Sequence, residues 1–235
     1  MVQPTVMIAC AHGTNNVVGR ARIKQLIGTI AVLRPELTVL EAYVDVQEPS
    51  LTDVLAGLAN DAEAVVVPLL LTVGYHVQVD IADAVASRPG TSASAPLGPD
   101  PRLAKLLHER LGALPAGWGI VLAAAGSSRP EAAEQIELLA AFLSVYRSET
   151  VLAAYGANAT PSIPEAVVSL RAAGSTGVAV ASYLLAPGYF HGQLAHSGAD
   201  FISEPLLPSM LVAELALEHF DAAVKAGAQS EHKDM

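Results

Sequence analysis

Two histidines and one aspartate in the first half of the chain follow apolar, strand-like segments. His12 and Asp45 come directly after two such segments, and His76 comes shortly after a third. Imidazole nitrogens suit first-row divalent ions such as iron, cobalt and nickel, and a carboxylate oxygen supplies a further ligand. Neutral imidazole also accepts protons near neutral pH. Either histidine taken alone would more simply be structural, but the set indicates metal binding together with proton removal.

The pattern that surrounds these residues occurs twice in the chain. Landmarks recur after 112 to 114 residues, and the matched pairs are Tyr43 and Tyr155, Pro49 and Pro161, and Gly74 and Gly188. Gly13 matches Gly126 in the same register, so the counterpart of His12 is Ala125. Two similar lobes with different polar residues in matching loops predict one composite site whose chemistry is carried by the first lobe.

Short apolar segments alternate with segments of helical spacing, which indicates βαβ units and a parallel sheet in each half. The predicted strands are 5–10, 38–43, 64–70 and 92–95 in the first half, and 119–124, 150–154, 177–183 and 201–203 in the second. Helices are predicted over 77–86, 100–111 and 209–225, with further helix N-termini at Ser50 and Ser162, each followed by an acidic residue three positions later.

The predicted fold is α/β, with two tandem flavodoxin-like lobes, each a mostly parallel four-stranded sheet with helices on both faces. The first lobe should cover 1–114, the second 118–225, and 226–235 should form a flexible tail. Ligands of open α/β sheets bind at the C-terminal edge of the strands. A strand order of 2-1-3-4, as in flavodoxin-like folds, would make the first and third strands neighbours and bring His12 and His76 together.

Composition excludes several functional classes. The chain has 13 basic and 23 acidic residues and a net charge of −10, which argues against nucleic acid as a partner. The longest apolar runs, 64–71 and 178–185, fall far short of the ~18 residues that span a bilayer. Residues 1–4 lead straight into a strand-like segment, so we expect no secretory leader and a cytoplasmic protein. The single cysteine, Cys10, excludes an internal disulfide and is expected to be a buried apolar residue.

The residues at the strand ends resemble a known family. Three segments resemble the class II tetrapyrrole chelatases. They are Ala-His-Gly-Thr at 11–14, Tyr-Val-Asp at 43–45 followed by Pro-Ser-Leu at 49–51, and the stretch from Val67 through Gly-Tyr-His at 74–76 to Ile81. Within that family the two-lobed sirohydrochlorin chelatases are the most similar. The resemblance covers both copies and nearly the whole chain.

The resemblance implies an enzyme, a lyase that inserts a divalent metal into sirohydrochlorin without ATP. Ferrous ion would give sirohaem, and cobalt, the alternative, would give a precursor of cobalamin. His12 and His76 would hold the metal and accept the two pyrrole protons, and Asp45 would be a third ligand or assist proton removal, unless it is only a solvated or capping carboxylate. No permanently bound cofactor is implied, because the divalent metal (Fe2+, Co2+ or Ni2+) is a substrate.

The tetrapyrrole carries many carboxylates, yet the loop after His12 lacks the arginine that many relatives have there. Local polar groups and helix N-termini must then bind the substrate. The predicted substrate-binding residues are Asn15, Asn16, Ser127, Ser128, Arg129 and His191. His191 lies one position beyond the counterpart of His76.

Two other functions use the same residues differently. A tetrapyrrole carrier would bind the ligand without reacting, and a metal chaperone would bind the ion tightly without any tetrapyrrole. No dinucleotide-binding glycine pattern, phosphate-binding loop or nucleophile elbow occurs in the chain. The duplication makes dimerisation unnecessary, so a monomer is expected.

Overall fold

The protein is represented by a computed structural model that describes residues 5–72 and 74–231; for residues 75–78, 230 and 231 it describes the backbone only. The first half forms a parallel sheet of β1 (Val6–Ala11), β2 (Val39–Tyr43), β3 (Ala64–Pro68) and β4 (Thr91–Ala93), in the order β2-β1-β3-β4. Its helices are α1 (Val17–Leu33), α2 (Leu51–Ala56), α3 (Tyr75–Ala86) and α4 (Pro101–Leu111).

The second half repeats this architecture. Its strands are β5 (Trp118–Ala124), β6 (Val151–Tyr155), β7 (Gly177–Ser182) and β8 (Phe201–Ile202), in the order β6-β5-β7-β8. Its helices are α5 (Pro130–Ser144), α6 (Ile163–Ala172), α7 (Tyr189–Gln193) and α8 (Met210–Glu231), with a single 3-10 turn at Leu194–His196. Every strand pairing is parallel. The predicted fold class and strand order are therefore confirmed, and the predicted strand ends agree to within two residues.

The central strands explain the high apolar content of the chain. Five of the six residues of β1 and all six of β7 are buried. Strands that are covered by helices on both faces must be apolar at successive positions rather than at alternate ones. Within the described part of the chain, no helix combines the length and the apolar character that a membrane crossing requires.

The helices that follow the second strand of each half begin as predicted. The backbone N–H of Asp53 donates to Ser50 Oγ over 3.1 Å, and the Ser50 hydroxyl donates to the Asp53 carboxylate. At the matching position, the backbone N–H and the hydroxyl of Ser162 both donate to Glu165 Oε2 over 2.8 Å. These contacts satisfy N–H groups that have no partner within the helix.

The chain divides into two compact units that differ from the predicted lobes in their helices. Unit 1 runs up to Leu70, continues over His76–Leu97 and resumes at Pro208, and unit 2 holds Leu71–Tyr75 and Gly98–Leu207. Helix α4 therefore packs on α5 and β7 of unit 2, whereas α8 packs on α1, β3 and β4 of unit 1. The predicted joint near residue 114 lies inside unit 2. Each unit is completed by a helix that its own sequence copy does not encode.

Helix α8 is also longer than predicted. The loose tail was expected from residue 226, but the helix continues to Glu231. Alanine, glutamine and glutamate in this stretch are strong helix formers, which outweighs the low apolar content on which the prediction relied. The last predicted tail residues, 232–235, lie outside the described part of the chain.

An ion pair fixes α8 against α1 in unit 1. The two terminal guanidinium nitrogens of Arg34 donate to the two carboxylate oxygens of Asp221 over 3.1 and 2.8 Å. The hydrogen bond to Asp221 raises the pKa of Arg34. Both side chains are partly exposed, so the pair contributes about 1 kcal/mol or less, and most of the docking energy of α8 comes from its apolar face.

Replacing Leu215 with alanine tests the assignment of α8 to unit 1. Leu215 is fully buried, so the substitution should lower the free energy of unfolding by about 2–5 kcal/mol. Hydrogen exchange should accelerate in β3 and α1 more than in β5 and β7, as mass spectrometry would measure. The control is Leu138→Ala, at a leucine that is 47% exposed, where a change of about 0.5 kcal/mol or less is expected. Faster exchange confined to β5 and β7 in Leu215→Ala would contradict the assignment.

Candidate functional site

The sheet of unit 1 places two of the three predicted metal-site residues, His12 and Asp45, at its C-terminal edge. His12 directly follows β1, and Asp45 is the second residue after β2. In the strand register Ala11 lies beside Tyr43, and Cys10 lies beside Pro68, the last residue of β3. His76 is the second residue of α3, after the loop that leaves β3, so its backbone belongs to a helix rather than to the loop expected from the sequence.

The His12 loop and the Asp45 loop are joined through their backbones. The N–H of Asp45 donates to the carbonyl oxygen of His12 over 3.0 Å. The N–H of Thr14 donates to Gln47 Oε1 over 2.9 Å. Gly13 has a φ of +96°, and a Cβ at this residue would overlap the carbonyl oxygen of Asp45. The approach of the two loops therefore requires glycine for its space as well as for its backbone angle.

The side chains of His12 and Asp45 are both exposed at this edge. Asp45 Oδ1 accepts a 2.7 Å hydrogen bond from the N–H of Val46, a residue with a φ of +66°. The second carboxylate oxygen accepts none from the described residues. One carboxylate oxygen of Asp45 thus stabilises the turn that contains it, and the other oxygen is available to an ion or a proton.

The neighbouring thiol does not join the site. Cys10 is fully buried in β1, and desolvation raises the pKa of its thiol to about 12, so the group stays protonated. This confirms the expectation of a buried apolar residue. Among the side chains that the structure describes, no three histidine, cysteine or acidic residues come together as metal ligands. The side chain of His76 is not among them, and its role as a ligand stays a prediction.

Unit 2 repeats the backbone of this edge without its ligands. The N–H of Ala157 donates to the carbonyl oxygen of Ala125 over 2.9 Å, as Asp45 does to His12 in unit 1. Gly126 has a φ of +93°, and a Cβ there would overlap the Ala157 carbonyl oxygen. Ala125 and Ala157 therefore occupy the positions of His12 and Asp45, and their methyl groups offer nothing to a metal.

Several of the predicted substrate-binding side chains already have a structural contact. Asn16 Oδ1 accepts from the N–H of Gly19 over 2.9 Å and caps α1. Ser127 Oγ accepts from the N–H of Arg129 over 3.2 Å, and Arg129 Nε donates to Glu131 Oε2 over 3.3 Å. Ser128 is exposed. Their contact with a substrate stays a prediction.

His191 lies in the last turn of α7 in unit 2, where His196 follows in the 3-10 turn. The Nε2 atom of His191 is buried and has no hydrogen-bond partner among the described residues. A buried imidazole nitrogen without a partner is unfavourable unless a ligand or water satisfies it. The predicted contact between His191 and substrate is compatible with this environment and stays a prediction.

Arg20 is the residue at this edge that sequence reasoning missed. It lies in the first turns of α1, and its Nε donates to the carbonyl oxygen of Thr14 over 2.6 Å, while a terminal nitrogen donates to Asn15 Oδ1 over 3.1 Å. Its charge also acts on the buried hydroxyl of Tyr43, which donates to Glu41 over 2.6 Å. Burial and Glu41 raise the pKa of Tyr43, and Arg20 opposes this shift. The sequence signal for this residue was an arginine six positions after Thr14, within reach of the loop once α1 begins.

Alanine substitutions at the two matched glycines test the loop geometry. Gly13→Ala and Gly126→Ala should each lower the free energy of unfolding by about 1–3 kcal/mol, because both impose the same overlap at the same backbone angle. Only Gly13→Ala should also weaken cobalt(II) binding, by about tenfold, since it displaces the loop that carries His12. Calorimetry and cobalt titration measure the two effects.

Gly28→Ala is the control for these variants. Gly28 is an exposed glycine of α1 with no atom within 4 Å of an added Cβ, and alanine should stabilise the helix by up to about 1 kcal/mol. Equal weakening of cobalt binding by Gly13→Ala and Gly126→Ala would contradict a metal site in unit 1.

Solved structures with the same fold cover almost the whole chain. "SirB from Bacillus subtilis with Fe3+" has a TM-score of 0.77 at 17% identity, over 97% of this chain and 98% of that one. The sirohydrochlorin chelatase SirB from Bacillus subtilis subspecies spizizenii in complex with cobalt has a TM-score of 0.73 at 15% identity, over 92% and 94%. CbiX, described as the terminal enzyme for biosynthesis of siroheme in denitrifying bacteria, has a TM-score of 0.68 at 21% identity, over 94% and 99%.

These structures agree with the two-lobed α/β architecture described above. No curated protein sequence matches the chain. The sequence model of the CbiX family matches residues 6–114 and again residues 119–220, which are the two sequence copies. Since the two matches together cover most of the 235 residues, the chain is a member of the CbiX family.

Proposed function

We propose that this protein is a sirohydrochlorin chelatase that inserts a divalent metal ion into the tetrapyrrole without ATP. The observation that carries the proposal is the difference between the two units. The same backbone edge bears His12 and Asp45 in unit 1, and Ala125 and Ala157 in unit 2. The fold does not require histidine or aspartate at these positions, because unit 2 forms the same edge with alanines. The ligand-type side chains of unit 1 are therefore better explained by function than by folding.

The reaction removes two pyrrole protons and exchanges the ligands of the ion for ring nitrogens. His12 is exposed at the strand edge, where its imidazole can hold an incoming ion and then accept a proton. His76 follows the neighbouring strand and is proposed as the second ligand and base. The carboxylate oxygen of Asp45 that does not bind Val46 can complete the ligand set or receive a proton.

The proposed metal is ferrous ion, with cobalt as the alternative, and in either case the metal is a substrate rather than a resident cofactor. Support comes from the relatives, since one SirB structure contains Fe3+ and another contains cobalt. Imidazole and carboxylate ligands suit iron, cobalt and nickel alike. The proposed partners are thus the tetrapyrrole and the ion, and the protein is proposed to act as a cytoplasmic monomer.

Anaerobic absorbance spectroscopy of sirohydrochlorin with ferrous or cobaltous ion tests the function. The unaltered protein should produce the metallated spectrum faster than a reaction without protein. His12→Ala and His76→Ala should each reduce this rate about 100-fold or more, because each removes both a ligand and a proton acceptor. The faster metal would identify the physiological substrate.

His108→Ala is the matched control, because His108 lies on α4 in unit 2 and stacks on Tyr146 with ring centroids 5.7 Å apart. This variant should keep the rate of the unaltered protein. If the protein binds the tetrapyrrole and the rate never exceeds the reaction without protein, the chelatase proposal fails and a carrier is the better account. Tight metal binding without any tetrapyrrole affinity would favour a metal chaperone.

A further inference from the structure

Arg20 is held beside the His12 loop by neutral groups alone. Its Nε donates to the Thr14 carbonyl oxygen over 2.6 Å and a terminal nitrogen donates to Asn15 Oδ1 over 3.1 Å. The residue is partly buried. Two hydrogen bonds therefore fix the plane of the guanidinium group next to the loop of the candidate metal ligand, and neither partner carries a charge.

This lack of a carboxylate partner sets Arg20 apart from most arginines that the structure describes. The arginines paired with carboxylates are Arg34, Arg102, Arg129, Arg147 and Arg171. Arg88 bonds to the carbonyl oxygens of Ala59 and Pro89, in the loops that precede β3 and β4, at the opposite edge of the sheet. Arg22 bonds to Gln25 on the surface of α1. Of these, Arg20 alone lies at the C-terminal edge and hydrogen-bonds only to neutral groups.

We propose that Arg20 binds a peripheral carboxylate of the tetrapyrrole and so orients the macrocycle over the His12 loop. A guanidinium group forms strong, directional pairs with carboxylates, and partial burial makes such a pair stronger than one in open water. The protein carries a net charge of −10, so binding of a polyanion needs a local cation. The inference rests on the proposed function for its substrate class.

The other polar groups of this loop are less suited to the role. Asn16 Oδ1 caps α1, and Asn15 Oδ1 accepts from Arg20 itself. An amide also offers no charge. Arg20 was absent from the predicted substrate-binding residues because it lies beyond the loop in sequence, and only the first turns of α1 return it to Thr14.

A metal-free titration with a porphyrin that bears eight carboxylates tests the inference directly. Arg20→Gln should raise the Kd of the octacarboxylate about tenfold or more, the loss expected for a charge-assisted hydrogen bond. Arg22→Gln removes the same charge from the same helix without touching the loop, so its Kd should stay within about twofold. An unchanged Kd in Arg20→Gln, or equal losses in both variants, overturns the inference.

Kinetics separate binding from positioning of the loop. With sirohydrochlorin and metal, Arg20→Gln should raise KM about tenfold and leave kcat within about twofold, because the carboxylate contact is equally strong before and during metal insertion. A fall in kcat at unchanged KM, with weaker cobalt(II) binding, would mean that Arg20 acts only by positioning His12 and would overturn the inference.

Two features keep the test decisive. If Arg20→Gln does not fold, Arg20→Lys replaces it, because lysine keeps a charge and a donor for Thr14 but loses the planar guanidinium group. Octacarboxylate binding by Arg20→Lys should weaken several-fold. Binding equal to that of the unaltered protein overturns the inference. The porphyrin titration needs no turnover, so a protein that binds the octacarboxylate through Arg20 and inserts no metal would refute the chelatase proposal while supporting this inference.

Discussion

The close approach of two backbones determines the geometry of the candidate site. The loop after β1 lies against the loop after β2, with the N–H of Asp45 bonded to the carbonyl of His12 and no room for a side chain at Gly13. The same contact recurs at Gly126 in unit 2. Because the constraint acts on backbone atoms and on one glycine, it leaves the adjacent side chains free to vary. The same backbone contact therefore occurs with His12 and Asp45 on one edge and with Ala125 and Ala157 on the other.

Because these side chains can vary without changing the backbone, the two sequence copies can differ in function. Two equivalent edges could each have held a metal, yet the second copy has alanines at the positions of His12 and Asp45 and has Phe190 at the position of His76. Unit 2 carries other polar groups of its own, including a buried His191 nitrogen without a partner among the described residues. The exchange of helices completes each unit with a segment from the other copy, because α8 buries its apolar face on unit 1 and α4 on unit 2. Neither sequence copy alone encodes a finished unit.

Much of this arrangement could be predicted from residue patterns. Apolar runs identified the strands, the repeat fixed the equivalence of His12 and Ala125, and the paired Ser50 and Ser162 identified helix starts. The helix exchange could not be predicted, since an amphipathic pattern shows that a helix has an apolar face and not which sheet receives it. The contact between Gly13 and Asp45 was missed for a similar reason, because a single glycine indicates a turn and not the neighbour that approaches it. Arg20 was missed because its partners are set by the return of α1 towards the loop.

The central claim is that unit 1 binds the metal through its strand-edge histidines. Anomalous diffraction at the cobalt absorption edge, from crystals of the whole protein grown with cobalt(II), tests it most directly. The account predicts an anomalous peak at about 2.0–2.2 Å from an imidazole nitrogen of His12 and one of His76, with no comparable peak beside Ala125. A peak that contacts neither histidine, or one of equal height at the alanine edge of unit 2, would contradict the account.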